Sequence, residues 1–142
     1  MSEAQGFSTE EKSAIKRAVY ERKRKGKTTP EQDVAECIAA ISAMDGDDRT
    51  TAMRVHEIVM AAVPSFAPKT WYGMPAYQID GKTICFFQSA GKFKTRYSTL
   101  GFSDTANLDD GDFWPTSYAL TKVTPEVAKE ISALIERAVG LK

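Results

Sequence analysis

The chain has 142 residues, 27% of them charged, with nineteen Lys and Arg balanced by nineteen Asp and Glu. A length like this suits one domain that buries about 68–70% of the surface its unfolded form exposes, so a core forms without staples. Zero formal net charge excludes a whole-molecule field that would draw in nucleic acid, a membrane surface or an acidic partner. The balance is uneven along the chain: residues 1–30 hold eight Lys and Arg against four Asp and Glu. That basic excess sits mostly in Arg22, Lys23, Arg24, Lys25 and Lys27.

The first helix is expected from Ser8 to about Lys25. Ser8-Thr9-Glu10-Glu11 reads as a capping box, in which the serine hydroxyl and the Glu11 carboxylate each satisfy an orphan N–H. Its apolar side is thin (Ile15, Ala18, Val19) and its last turn is basic, which suits the helix dipole and a peripheral place. A second helix starts at Thr29-Pro30 with Gln32 completing another box. Val34, Cys37, Ile38, Ile41 and Met44 form its stripe. A third is expected after an Asp48 cap, with Val55, Ile58, Val59, Ala62 and Val63 on one face and Pro64 as its stop.

From there the period changes to two. Asp80-Gly81 signals a two-residue type I′ hairpin, since both central positions need positive φ. That turn pairs Ile79 with Lys82, Tyr77 with Ile84 and Ala76 with Cys85. A second reversal through Ser89-Ala90-Gly91-Lys92 pairs Phe87 with Lys94 and Cys85 with Arg96. The resulting meander has two faces. Tyr77, Ile79, Ile84, Phe86, Phe93 and Tyr97 are expected to pack on helices. Ala76, Gln78, Thr83, Cys85, Phe87, Lys94, Arg96 and Ser98 are expected on a more open face. A slip of one residue would exchange the two. Residues 103–113 read as a polar loop, Ser117 to Lys122 as a further strand, and Thr124-Pro125 as the start of a last helix, with Val127, Ile131, Leu134, Ile135 and Ala138 inward. The sum is an α+β fold: an antiparallel sheet of four to five strands packed on one face by helices.

Trp71-Tyr72-Gly73-Met74-Pro75-Ala76-Tyr77, Gly81-Lys82, Cys85-Phe86-Phe87 and Arg96-Tyr97 together resemble the YdhG-like family, a bacterial family of unknown function. The run from Gly111 to Leu120 looks like a subgroup signature within it. The resemblance covers roughly residues 30–140, so that residues 1–28 read as a basic helical extension and 29–142 as the YdhG-like domain. It implies an antiparallel sheet backed by helices and no established activity or cofactor. The wider grouping is often placed beside frataxin-like folds, which implies iron handling as one reading. A frataxin-like iron site would resemble an acidic ridge on the first helix, and here that helix is basic.

Several residues carry possible chemistry. His56 is the only histidine, a proton shuttle or metal ligand in one reading and a boundary residue of a packed helix in the other; no second ligand is spaced to join it. Cys85, opposite Arg96 in the expected register, reads either as a thiol made reactive by a guanidinium or as a small strand residue. Cys37 is core. Asp45, Asp47 and Asp48, and Asp104, Asp109, Asp110 and Asp112, sit in oxygen-rich turns that could take a hard cation, though Asp and Gly are also good turn formers. The Arg22–Lys27 run could touch phosphates but has no aromatics for stacking on bases, which argues against nucleic acid.

The strongest cluster is aromatic and basic. Tyr72, Tyr77, Phe87, Lys94, Arg96 and Trp114 are the candidate ligand-binding residues, with Arg96 as a bidentate clamp for an anionic group. Tyr77 fits least well, because the hairpin register puts it on the core face. No phosphate loop, Ser-His-Asp set or paired carboxylates on one element are visible, so the sequence argues for a non-catalytic domain binding a small anionic ligand or a partner, without a cofactor. Metal handling and weak nucleic-acid association through the first helix are the alternatives. With no run near the roughly 18 apolar residues of a membrane span, no apolar leader and two cysteines in no metal spacing, a cytoplasmic protein with free thiols is expected.

Overall fold

A computed structural model describes residues 7–140; the first six residues of the expected basic extension lie outside the described residues. Three helices lead: α1 (Thr9–Lys23), α2 (Pro30–Ser42) and α3 (Gly46–Ala62). Strands β1 (Ala67–Trp71), β2 (Met74–Ile79) and β3 (Lys82–Gln88) follow, then a single helical turn α4 (Ala90–Phe93), β4 (Ser98–Phe102), β5 (Ser117–Leu120) and α5 (Pro125–Ala138). All five strands form one antiparallel sheet in chain order. The fold is α+β, as the periodicities imply. No helix among the described residues is long and apolar enough to cross a membrane.

Helix starts follow the local chemistry. Both capping boxes form: Glu11 N donates to Ser8 Oγ at 3.0 Å and Gln32 N to Thr29 Oγ1 at 3.1 Å. Val127 N donates to Thr124 Oγ1 at 3.2 Å to open α5. α3 starts three residues earlier than an Asp48 cap would place it, with Asp45 as N-cap and no side-chain cap bond. The Asp48 carboxylate is engaged elsewhere: Ser89 Oγ and Gly91 N donate to its Oδ2 at 2.6 and 2.7 Å.

Cys37, Ile41, Val55, Val59, Ile131 and Ile135 from α2, α3 and α5 pack with Tyr77, Cys85, Phe87 and Leu100 of the sheet in one core. Val34, at the head of the expected α2 stripe, is exposed. The loop after β4 is less polar than its composition suggests. Ala106 and Leu108 are buried in the core, and Asn107 N donates to the Ala138 carbonyl of α5 at 2.8 Å.

Two features redistribute the expected faces. The Asp80-Gly81 turn forms with both φ angles positive, 52° and 79°, and pairs Ile79 with Lys82 as expected. Beyond it, however, Gln78 pairs with Thr83 while Tyr77 pairs with Cys85. Ile84 is therefore the extra residue of a β-bulge, and the expected Tyr77–Ile84 and Ala76–Cys85 pairs become Tyr77–Cys85 and Ala76–Phe86. The bulge lets consecutive Ile84 and Cys85 both be buried. It also carries Cys85 and Phe87 onto the helix-covered face with Tyr77, and Phe86 onto the opposite one.

The second reversal is not a tight hairpin. Ser89-Ala90-Gly91-Lys92 winds into α4, with Lys92 N donating to Ser89 Oγ at 3.3 Å and Lys94 ending it in the left-handed region at φ 57°. The return strand begins only at Ser98, so Phe87 pairs with Leu100 and Cys85 with Phe102 in place of Lys94 and Arg96. Burial of Leu100 and Phe102 favours this pairing over one that would set two cations opposite Phe87 and Cys85. β1 was not expected as a strand. Pro68 discourages that reading, yet an edge strand tolerates proline.

Candidate functional site

The six candidate ligand residues do not converge. Phe87 and Tyr77 are buried on the helix-covered side of the sheet, at 1% and 0% exposure, so neither forms part of an open sheet face. Lys94 leaves the sheet and pairs with Glu10 of α1 at 3.0 Å, an interaction that holds the Glu10 carboxyl below its ordinary pKa. Arg96 is exposed in the loop before β4, its guanidinium 5.1 Å from the Tyr97 ring centroid. Tyr72 is exposed in the β1–β2 turn, its ring edge-on to Trp71. Trp114 is half-buried and packs against the core. The open sheet face built on Phe87, Lys94 and Arg96 is absent, because the bulge and α4 separate its members.

His56 lies at the edge of the core. Its Nδ1 is 2.9 Å from the Tyr77 hydroxyl, and burial, opposed by the Glu57 charge, lowers its pKa. Burial, then the neighbouring Cys37 and Cys85, push the Tyr77 hydroxyl well above its usual value. Burial also raises the Cys37 thiol to about 11 and raises Cys85. A thiol reacts as its thiolate, and these positions disfavour that form. Cys85 has no guanidinium partner, since Arg96 is not its cross-strand neighbour. The aspartate turns do not assemble with other ligands: among the described residues, no three His, Cys, Asp or Glu side chains group as a metal site would require.

Basic residues of α1 and of its C-cap face carboxylates of α2. Arg17 and Arg24 reach Glu36 at 3.3 and 2.6 Å, and Lys69 of β1 reaches Asp33 at 3.5 Å. Arg24, Glu36, Lys69 and Asp33 line a hollow of about 400 Å3 between α1, α2 and the sheet edge, and these four charges are paired with one another.

A different cleft, of about 340 Å3, opens where the α2–α3 junction, the β1–β2 turn and α4 meet. Its floor is apolar and buried, formed by Met74, Pro75 and Phe87. Charged residues line it too: Asp45, Asp48, whose carboxylate accepts from Ser89 and Gly91, and Lys92. Lys92 makes no ion pair among the described residues. Much of its side chain is open to solvent, while the ammonium reaches over the Gly73 backbone, 3.0 Å from where a Cβ on Gly73 would stand. Crowding there lowers its pKa, with Glu21 opposing and Arg17 adding to the shift. Glycine at position 73 suits the φ of 78°, and a Cβ there would crowd the flexible end of Lys92.

Of this cleft, sequence reading found Phe87 and noted Asp45 and Asp48, but as separate features. Lys92 was hidden in the expected reversal. No family model, curated protein or solved structure matches the chain.

Proposed function

We propose that this is a small-ligand-binding domain, without a catalytic role of its own, whose site is the cleft between the α2–α3 junction, the β1–β2 turn and α4. The observation that carries this reading is the Lys92 ammonium: it makes no ion pair among the described residues and belongs to the lining of a cleft with an apolar floor. Ligand sites are mostly apolar hollows with a few placed polar groups, and this cleft has that composition. Lys92 supplies attraction for an anionic group, Met74 offers an apolar contact, and Asp45 favours a donor or cationic end. Anion binding, first read into Arg96 and Lys94, moves to Lys92 in this proposal. Membership of the YdhG-like family, proposed on the Trp71–Tyr77 run and its hairpin, is compatible with it, because Gly73, Met74 and Pro75 of that run line the cleft.

Metal handling and nucleic-acid association draw less support. The first would need ligands that the fold keeps apart. The second would need the cations of the Arg22–Lys27 run, of which Arg24 is committed to Glu36.

Inorganic phosphate is a suitable probe, read by the shift of the thermal unfolding midpoint with concentration. A saturable rise in the wild type that survives Arg96→Ala and disappears in Lys92→Met supports the cleft. Loss in Arg96→Ala, or no phosphate dependence in the wild type, overturns it.

A further inference from the structure

The tie between α1 and the β1–β2 turn has the chemistry of an occupied binding site. Tyr72 and Gly73 both adopt positive φ, 54° and 78°, and their consecutive N–H groups converge on one carboxylate. Tyr72 N donates to Glu21 Oε1 at 2.8 Å and Gly73 N to Glu21 Oε2 at 3.0 Å. Turns that aim successive N–H groups at one point make anion-binding concavities, and each oxygen of this carboxylate takes one donor. Arg17 Nε adds a third contact, to Glu21 Oε2 at 3.3 Å.

The helix that carries Glu21 is otherwise lightly held. Ala14 is the one residue of α1 described as buried, while Ile15, Val19 and Tyr20 are exposed. Its other polar ties to the domain include ion pairs near the surface: Arg17 and Arg24 with Glu36, and Glu10 with Lys94. Such pairs are individually weak and screened by salt. Past the end of α1 the chain turns at Gly26 with φ 79°, a residue whose missing side chain eases a change of direction.

We propose that the Tyr72–Gly73 turn is a carboxylate-binding site occupied by the chain's own Glu21, so that α1 is a strap released when a free carboxylate takes that place. A competing carboxylate accepts the same two N–H donations and removes the contact that orients the C-terminal half of α1. Released, α1 uncovers Trp71, Met74 and Phe86, which now face it across a shallow apolar groove of about 360 Å3. This inference stands on the turn and the helix alone and does not require the Lys92 cleft to take a ligand.

The test uses full-length protein, acetate as probe, and amide NMR. In Glu21→Ala, acetate shifts the Tyr72 and Gly73 amide resonances saturably, and in the wild type the same amides respond at least tenfold more weakly. In the wild type, saturating acetate also speeds hydrogen exchange in α1 beyond what chloride does at equal ionic strength, while the Cys85 and Phe87 amides stay protected. Glu21→Gln, which keeps one acceptor oxygen, gives an intermediate response and replaces the alanine variant if that fails to fold. Amides indifferent to acetate once Glu21 is removed, or equally responsive with and without it, overturn the site. Equal acceleration of α1 by acetate and chloride overturns the strap.

Discussion

The ring of Phe86 rests over Gly101, its paired neighbour on the adjacent strand: a Cβ at position 101 would come within 2.3 Å of the ring. Trp71, with its centroid 5.1 Å from that of Phe86, limits the ring's retreat. Here glycine is set by contact rather than by backbone angle. Gly101→Ala should cost about 1–3 kcal/mol through overpacking, measured by urea denaturation. Combined with Phe86→Leu, the penalty should fall well below the sum of the two single changes.

Phe87 and Arg96 should separate cleanly in stability. Phe87→Ala empties a fully buried site and should cost about 3–5 kcal/mol. Arg96→Ala, at an exposed loop position, should stay within about 0.5 kcal/mol of wild type. Equal and large losses in both would return Arg96 to the packed sheet.

His56 gives stability a defined pH dependence. Its folded pKa is lowered, mainly by burial, so the unfolded chain takes up the proton first as pH falls. The contribution of neutral His56 is complete above its unfolded pKa of about 6.5 and is lost as pH drops through that value toward the lower folded pKa. Denaturation midpoints across this window should decline on acidification, and His56→Gln should flatten the decline.

Both thiols should be silent in the folded protein. Cys37 and Cys85 are fully buried and their pKa values are raised. Mass spectrometry after iodoacetamide treatment at neutral pH should find neither modified, and both modified in denaturant. Rapid labelling of Cys85 in native protein would contradict the buried β3 register.

What could be read from the residues was local and directional. Ser8, Thr29 and Thr124 announce helix starts because a hydroxyl and a nearby N–H settle the matter within four residues. Asp80-Gly81 fixes a turn for the same reason. The face assignment failed one step further on. A bulge at Ile84 answers to the whole core, which gains by burying both Ile84 and Cys85, and nothing in the neighbouring residues forces it. α4 was missed on similar grounds: its turn is held by Asp48, far away in sequence, accepting from Ser89 and Gly91. The candidate cleft inherits that non-local origin. Its cation comes from α4, its carboxylates from the α2–α3 junction, and its floor from β2 and β3.

Strand order that follows chain order leaves β1 and β5 as the two rims of the sheet, and each is poorly suited to recruiting another molecule. Pro68 contributes no N–H on either side, Lys69 next to it is charged, and β5 is only four residues long. Rims interrupted or shortened in this way resist end-on stacking of sheets into fibres. The proline that obscured β1 as a strand thus helps keep one copy of the chain from templating the next.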